Sequence, residues 1–335
     1  MSVREVLEIF NETDTPKEDP VLSNFSLPLR AVFYPLGFAV EIATNSGDVL
    51  IAAEESWGRF RKTFSEPPVR MEIGVTFDGS KECPAVPECR SRANLITTLA
   101  DPDNFAVCDL SRGFGFAWVT QATAKNRAYF RYYFLEASVL MLLEGLYTRP
   151  VHAACVQSGS KGILLCGESG AGKSSLAFAC ARAGWKFLTD DGTAIVRNRP
   201  GRVVVGNPHQ MRFRESAIDL FPELLDQSVA ARANGKVGIE LATANLPGIE
   251  TITECAVEYI VFLNRRDPGS FGLFDRSPEE ALQYFEKCIN FGEEKLRELQ
   301  RSSINGLLTA KIFEMRYGDL DWAVDRLAKL VMEGA

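Results

Sequence analysis

The sequence has no long hydrophobic run and no excess of basic residues. No stretch of about 18 or more apolar residues occurs, so we expect no membrane-spanning helix. Lysine and arginine total 37 against 44 aspartate and glutamate, a formal net charge of −7, whereas binding to nucleic acid or to an anionic membrane favours a basic face. The N-terminal stretch MSVREVLEIFNETDTPKEDP carries several acids and lacks the apolar core of a signal peptide. These absences predict a cytoplasmic protein that binds neither nucleic acid nor membrane.

The sequence also has little histidine and no cysteine pattern of a metal site. Its eight cysteines are scattered. Cys83 and Cys89 flank prolines in KECPAVPECR, but no further ligands follow at zinc spacing. Other cysteines, such as Cys166, stand in apolar segments, where cysteine usually acts as a small hydrophobic residue. Zinc is therefore not expected. The two histidines are His152 and His209.

The apolar pattern divides the chain into two predicted domains, and the first is rich in short strands. Residues 1–10 predict a short amphipathic helix, and residues 11–24 a polar lead-in with two prolines. Between residues 29 and 120, short β-like runs separated by Gly, Pro, Asp and Asn predict an antiparallel sheet. The apolar, aromatic segment 126–149 is long enough to favour a buried helix, which Pro150 would end.

The second half of the chain alternates strands with helices, so the predicted fold class is α/β. Strands at VHAACVQS and KGILLCG precede a helix, GKSSLAFACARAG, that Gly184 ends as a C-cap, and WKFLTDD is a further strand. Later, Ser277 and Glu280 have the spacing of a capping box, and DLDWAVDRLAKLVME predicts the last helix. We therefore predict an α+β domain over residues 1–149 and a nucleotide-binding domain over residues 150–335.

The stretch GESGAGKS, residues 167–174, satisfies the pattern G-x-x-x-x-G-K-[ST] of a phosphate-binding loop, and an apolar strand and a helix flank it as the motif requires. Glycines let several backbone N–H groups point into one concavity, and the helix N-terminus adds positive potential. Lys173 is expected to reach the β- and γ-phosphates, and Ser174 to ligate magnesium. The candidate nucleotide-binding residues are Gly167, Glu168, Ser169, Gly170, Ala171, Gly172, Lys173, Ser174 and Ser175. The loop alone does not separate a kinase from a motor, a GTPase or a transporter ATPase.

Two adjacent aspartates, Asp190 and Asp191, end the strand that follows this helix. Adjacent side chains on a strand point to opposite faces, so the two carboxylates are expected to have different roles. One could hold magnesium or deprotonate an attacking hydroxyl, while a solvated Asp-Asp-Gly turn is the alternative. His152 opens the strand before the loop strand, so if those strands are neighbours it would lie near Asp190 and could orient it or share its proton.

The segment from His152 to Gly192 resembles the C-terminal catalytic domain of the HPr kinase/phosphorylase family. That family has a histidine fifteen residues before the first loop glycine, as His152 stands to Gly167, then a G-[DE]-S-G-x-G-K-S loop, a helix, a short strand and Asp-Asp. The resemblance implies a fold related to phosphoenolpyruvate carboxykinase, with ATP and Mg²⁺ bound. It also implies that Asp190 is the general base toward a seryl hydroxyl and His152 its partner, with Asp191 a supporting acid at the metal.

The resemblance is strong over about residues 148–200 and looser beyond them. Residues 1–150 do not resemble the N-terminal domain of the regulatory enzyme. The family's second signature, LEIRGLG, is absent, and its nearest counterpart is GKVGIELATANLPGIET. Regulatory members use that region to bind their protein substrate and to reverse the reaction, so the resemblance implies neither HPr as the substrate nor phosphorylase activity. Some divergent relatives phosphorylate ribosomal peptide precursors at a terminal serine.

Two further stretches leave alternatives open. FLNRRD, residues 262–267, is a relaxed match to the Asn-Lys-x-Asp guanine motif, but no Asp-x-x-Gly or switch segment accompanies it, so we expect ATP to be preferred to GTP. In HQMRFRES, Arg212 and Arg214 alternate with Met211 and Phe213, which places both arginines on one face of a predicted strand. They could stabilise a transferred phosphate, bind an anionic acceptor, or form a solvated strand edge.

The whole sequence thus predicts a Mg-ATP-dependent kinase with a hydroxyl acceptor, a serine of a peptide or protein being the leading candidate. A small-molecule hydroxyl, on a sugar or a hydroxy-amino acid, is the alternative among enzymes. A nucleotide-binding regulatory module that transfers no phosphate is the alternative of another class. The sequence identifies neither the acceptor nor the oligomeric state, and a homo-oligomer is left open.

Overall fold

The structure is a computed structural model that describes residues 26–77, 80–197, 199–231, 233, 235–265, 271–287 and 292–334. The predicted helix at residues 1–10 and the lead-in at residues 11–24 lie outside the described residues. The described part has a mixed α/β architecture with sheets of seven, eight and three strands, in agreement with the predicted fold class. None of the helices in it is long and apolar enough to cross a membrane.

The N-terminal half is built on a seven-stranded sheet. Its elements are β1 (Leu29–Phe33), β2 (Val40–Thr44), α1 (Gly47–Trp57), β3 (Val69–Thr76), β4 (Glu88–Arg92), β5 (Leu95–Asp101), β6 (Asn104–Asp109), β7 (Phe114–Thr120), α2 (Gln121–Lys125), α3 (Arg127–Phe130), a π-helix (Arg131–Glu136) and α4 (Ala137–Leu146). The strand order is β1-β2-β3-β7-β6-β5-β4. β4 to β7 are antiparallel as predicted, but β3 is parallel to both β2 and β7. The prediction of a fully antiparallel sheet is wrong there, because α1 crosses over between β2 and β3.

The buried helix predicted at residues 126–149 consists of three consecutive helical segments, α3, the π-helix and α4. Its core character is confirmed, since Leu135 and Leu142 have no exposed surface. The helix ends at Leu146, and Pro150 does not end it. Pro150 instead lies inside the next strand, where it pairs with Ala194 of a neighbouring strand.

The C-terminal half holds the remaining elements of the described chain. They are β8 (Thr148–Ser158), β9 (Lys161–Cys166), α5 (Lys173–Arg182), β10 (Lys186–Thr189), β11 (Gly192–Val196), β12 (Val203–Val205), β13 (Gln210–Phe213), β14 (Ala230–Ala231), β15 (Val237–Ala242), β16 (Glu254–Arg265), β17 (Gly272–Asp275), α6 (Pro278–Glu286), α7 (Glu294–Leu307), β18 (Lys311–Tyr317) and α8 (Leu320–Glu333). Gly184 has a φ of 86° just after α5, as a C-cap requires. The Ser277 hydroxyl accepts a hydrogen bond from the Glu280 amide at 3.2 Å, which confirms the predicted N-cap of α6.

The central sheet of the C-terminal half has helices on both faces. β9 lies between β8, which is antiparallel to it, and β16, which is parallel to it and to β18. One face packs against α5 and α8 through residues such as Leu176 and Leu327, and the other against α6 and α7 through Phe285 and Ile304. This arrangement fixes the edge at which β9, β16 and β18 end.

Candidate active site

The predicted phosphate-binding loop, residues 167–174, is called the phosphate loop below. It lies at the edge where the parallel strands β9, β16 and β18 end. β9 ends at Cys166, which pairs with Phe262 of β16. His152 reaches the same edge because β8 runs antiparallel to β9, with Ala153 opposite Cys166. In open α/β sheets, ligands bind at the carboxyl ends of the parallel strands. The fold therefore brings the loop and the predicted histidine to an edge that is suited to a ligand.

The loop backbone depends on glycine at its turns. Gly170 and Gly172 have φ values of 93° and 95°, a region that glycine adopts readily and other residues rarely do. A Cβ at residue 172 would lie 2.7 Å from the Tyr317 hydroxyl, which donates a hydrogen bond to the Ala171 carbonyl at 3.2 Å. The loop leads directly into α5, whose first N–H groups have no partner within the helix. Such a loop and helix N-terminus together can bind a phosphate group.

Lys173 folds back over the loop and reaches His152. Its ammonium donates to the carbonyls of Gly167 at 2.8 Å and Glu168 at 3.3 Å, and lies 2.9 Å from His152 Nε2. An ammonium group can only donate, so His152 accepts at Nε2 and carries its hydrogen on Nδ1. Burial lowers the pKa of Lys173 from its ordinary value of 10.5, in opposition to nearby acidic groups such as Asp191.

The carboxylate beside His152 belongs to Asp191. His152 Nδ1 lies 2.9 Å from Asp191 Oδ1, and both side chains are about half exposed, at 43% and 50%. Burial raises the pKa of Asp191, but the hydrogen bond from His152 and the positive charge of Lys173 outweigh it, so the pKa lies below the ordinary value of 3.8. Lys173, His152 and Asp191 therefore form one continuous contact chain at the loop.

The structure pairs His152 with Asp191 and not with the predicted Asp190, because both aspartates lie in a turn. β10 ends at Thr189 and β11 begins at Gly192, and both strands pair with β8. The alternation of side chains along a strand therefore does not govern residues 190 and 191. In this turn the Asp191 carboxylate contacts His152, while Asp190 contacts the Arg212 amide.

Asp190 lies in a different environment from Asp191. The sequence predicted different roles for these two aspartates. Its side chain is buried, at 6% exposure, and Oδ2 accepts a hydrogen bond from the Arg212 backbone amide at 2.8 Å. Burial raises the pKa of Asp190 to about 6, against the opposing effect of that hydrogen bond. Asp190 thus links the turn at residues 190 and 191, called the aspartate turn below, to β13.

Oxygen donors next to the loop fit a magnesium ion. The Ser174 hydroxyl lies 3.5 Å from the Asp190 carbonyl, which places it beside the two aspartates, while Ser175 follows in the first turn of α5. Hard oxygen ligands are what Mg²⁺ prefers, and it commonly takes one or two from the protein and the rest from phosphates and water. Within the described residues no group of three or more His, Cys, Asp or Glu could hold a metal. Binding of magnesium by Ser174 and Asp191 stays a prediction.

Tyr284 on α6 is a site residue that the sequence did not reveal. Its hydroxyl lies 2.8 Å from the His152 carbonyl and 2.9 Å from the Gly167 carbonyl, and it accepts from the Gly167 amide at 3.3 Å. It therefore ties the start of the loop to the histidine strand. Nearby, Lys287 forms an exposed ion pair with Glu168 at 3.3 Å. No local motif announces these contacts, because α6 lies more than a hundred positions further along the chain.

Arg212 lies on β13 between the buried Met211 and Phe213, as predicted, whereas Arg214 follows the last residue of this strand. Arg212 binds Glu240 at 3.0 Å and Gln210 at 2.9 Å. Arg214 instead donates to the Ser169 hydroxyl of the phosphate loop at 2.9 Å.

In FLNRRD, the relaxed match to the guanine motif, the asparagine has a structural role. Asn264 donates its side-chain amide to Glu314 of β18 at 3.1 Å, and Glu314 also accepts from Arg316 at 2.7 Å. This amide therefore joins two parallel strands. Asp267 of the motif lies outside the described residues, and the preference for ATP over GTP stays a prediction.

Comparison with known proteins leaves the family open. No family model matches the chain, and no curated protein matches it. Among solved structures, the Hpr(Ser) kinase/phosphatase from Coxiella burnetii is similar at 14% sequence identity with a TM-score of 0.29, over 56% of this chain and 93% of that one. So low a similarity does not assign the chain to a family. The function has to be inferred from the site itself.

Proposed function

We propose that the chain is an ATP-dependent kinase that transfers the γ-phosphate to a hydroxyl, with a serine of a peptide or protein as the leading acceptor. One observation carries this proposal. The phosphate-loop lysine, a histidine and a carboxylate are in contact, with Lys173 Nζ 2.9 Å from His152 Nε2 and His152 Nδ1 2.9 Å from Asp191 Oδ1. A carboxylate that can activate an acceptor thus lies next to the group that would hold the phosphates.

The loop residues bind the triphosphate. Backbone N–H groups at the loop and at the start of α5 surround the phosphates, and Lys173 leaves the loop carbonyls to contact the β- and γ-oxygens. Magnesium, when bound at Ser174 and Asp191, neutralises negative charge on the phosphate oxygens. Phosphoryl transfer depends chiefly on such positioning and charge stabilisation, which these residues supply.

Asp191 is the better candidate for the general base, in place of the Asp190 that the family resemblance implies. A base must first come within hydrogen-bond reach of the acceptor, and only then does its pKa matter. Asp191 is half exposed and His152 orients it, whereas Asp190 is buried against the Arg212 amide. In the transfer step the acceptor oxygen bonds to the γ-phosphorus and its proton passes to Asp191. The bond to the bridging oxygen breaks, and its electron pair remains with ADP.

The two aspartates can be separated by a matched pair of variants. Asp191→Asn should slow ATP turnover, measured as phosphotransfer or as acceptor-free hydrolysis, by about 10²–10⁴-fold, the usual contribution of general-base catalysis. Asp190→Asn should slow ATP turnover less than about tenfold, because Asp190 would act only indirectly, by positioning other groups. Calorimetric affinity for Mg-ATP should change little in Asp190→Asn, should weaken in Asp191→Asn because a magnesium ligand is lost, and should be lost in Lys173→Ala.

The control for the lysine is Lys329→Ala, which removes an exposed lysine on α8 away from the loop. If Asp190→Asn were the slower enzyme, the base would be the first aspartate. If the wild type bound Mg-ATP but every acceptor and water test showed no turnover, the chain would be a nucleotide-binding regulatory module and the kinase proposal would fail.

A further inference from the structure

Arg214 reaches from the end of β13 to the tip of the phosphate loop. Its Nη2 donates to the Ser169 hydroxyl at 2.9 Å, and a Cβ at residue 170 would lie 3.2 Å from its Nη1. The guanidinium therefore lies against the loop at Ser169 and Gly170.

β13 holds this arginine through a rigid attachment. Met211 and Phe213 are 1% and 3% exposed, and the Phe213 ring packs edge-on against Phe178 of α5 at 5.2 Å. The Arg212 amide is bound to Asp190 at 2.8 Å. The strand that carries Arg214 is thus fixed both to the helix that follows the loop and to the aspartate turn.

The charge of Arg214 has no carboxylate partner in the described part of the chain. Its contact there is the neutral Ser169 hydroxyl. Arg212, two positions earlier, is instead paired with Glu240 at 3.0 Å. The positive charges of Arg214 and Lys173 act on one another, and that of Arg214 adds to the effect of burial in lowering the pKa of Lys173. Two cations that converge at a helix N-terminus form a site for an anion with several negative charges.

We propose that Arg214 is a catalytic residue that leaves Ser169 and contacts the γ-phosphoryl oxygens as they separate from ADP. The proposal rests on the kinase function above and adds a residue to it. A planar guanidinium with several donors can bind two oxygens of a flattened phosphoryl group at once, which a lysine cannot do. The bonds made and broken are those already given. Arg214 exchanges no proton and contributes only charge and hydrogen bonds.

The test uses the full chain with Mg-ATP. Arg214→Ala should lower ATP turnover by about 10³-fold, the lower range for an arginine that acts on a transferred phosphoryl group, while the affinity for Mg-ATP changes by less than about threefold. Arg214→Lys should recover only a small part of the turnover because it lacks the guanidinium fork. Added ethylguanidinium should raise turnover in Arg214→Ala and not in Arg214→Lys. Tight binding of ADP with aluminium fluoride, a mimic of the planar phosphoryl group, should be lost with the arginine.

The control is Arg301→Ala, which removes an exposed arginine paired with Glu294 on α7. It should match the wild type in turnover and affinity. Turnover of Arg214→Ala within about threefold of the wild type, or equal binding of ADP–aluminium fluoride, would overturn the role of Arg214 and leave the kinase proposal standing. A wild type that bound Mg-ATP without any turnover would overturn both.

Discussion

At the residue scale, two neighbouring aspartates differ because one is buried and the other is not. Asp190 is enclosed and bound to a backbone amide, while Asp191 is half exposed and bound to His152. Burial disfavours a charged carboxylate, whereas a neighbouring cation or hydrogen-bond donor favours it. Their pKa values are accordingly shifted in opposite directions, upward for Asp190 and downward for Asp191. A pair of titratable groups separated in this way can divide its roles in one site.

The raised pKa of Asp190 predicts a pH-dependent cost to stability. The pKa rises from 3.8 to about 6 on folding, so between those values the native state holds a proton that the unfolded state has released. Stability therefore falls as pH rises through this window. Asp190→Asn keeps an acceptor for the Arg212 amide and does not titrate. Its free energy of unfolding relative to the wild type should rise by up to about 3 kcal/mol between pH 4 and pH 7, since each pKa unit is worth about 1.4 kcal/mol.

Urea unfolding at several pH values, without nucleotide, measures this difference. Asp226→Asn provides the matched control, because Asp226 is exposed, and its difference from the wild type should not follow the same curve. A constant difference between Asp190→Asn and the wild type across the range would contradict the burial of the carboxyl group.

At the scale of elements, α6 holds the loop and the histidine strand together through one hydroxyl. Tyr284 contacts the carbonyls of His152 and Gly167 at 2.8 and 2.9 Å. A hydroxyl has a single hydrogen to donate, so the two carbonyls share it. Both carbonyls are thereby held close to α6. The relative position of Lys173 and His152 depends on this attachment. Tyr284 contacts His152 itself and Gly167, the first residue of the loop that leads to Lys173.

Tyr284→Phe should therefore impair ATP turnover more than stability. Losing the hydroxyl should cost about 1 kcal/mol of unfolding free energy, the typical net value of a hydrogen bond. Turnover should fall about tenfold or more, because a displacement of about 1 Å in catalytic geometry is costly. The matched control is Tyr147→Phe, which removes a hydrogen bond to the Pro67 carbonyl at 2.8 Å in the N-terminal half. Equal effects of the two variants on turnover would contradict a positioning role for Tyr284.

The parts of the site that the sequence predicted are those encoded locally. The glycine spacing, Lys173 and the strand and helix around them lie within one short segment, so their geometry follows from neighbouring residues. The pairing of His152 with Asp191 depends on the turn between β10 and β11, whose geometry the residue pattern does not encode. Tyr284 and Arg214 come from distant elements whose approach is decided by tertiary packing. The parallel arrangement of β2 and β3 is not predicted either, because it depends on α1 as the crossover between them.

At the scale of the whole molecule, the core of the N-terminal half extends into the C-terminal half. Ala194, Val196, Val205 and Leu296 of the C-terminal half belong to the hydrophobic cluster of the N-terminal sheet and helices. The aromatic pair Phe60–His209, with ring centres 4.8 Å apart, adds a second contact next to β13. Cooperative unfolding is expected when the packing of two units is continuous. The N-terminal core therefore continues across the predicted boundary near residue 150, while the C-terminal half also has two clusters of its own.

Buried charged residues lie where the two halves meet. Glu144 of α4 binds the fully buried Arg149 of β8 at 2.7 Å and Gln300 of α7 at 3.3 Å, while Arg197 donates to the Gly145 carbonyl. Burial raises the pKa of Glu144 to about 7 in spite of both arginines. Glu144→Ala would leave Arg149 without its carboxylate in the protein interior. Breaking a buried pair from one side typically costs about 3–5 kcal/mol.

Because the cluster joins both halves, Glu144→Ala should lower the stability of the entire described chain. Hydrogen exchange followed by mass spectrometry should show faster exchange by a similar factor in peptides from β3 and from β16, and thermal unfolding should stay a single transition at a lower temperature. Glu298→Ala, which removes an exposed glutamate from α7, should leave both measurements near the wild type. Faster exchange confined to the N-terminal sheet, with β16 unchanged, would mean that the halves unfold separately. The proposed Mg-ATP site lies at the carboxyl end of β9, so in the cooperative case saturating nucleotide should raise the unfolding temperature of both halves together.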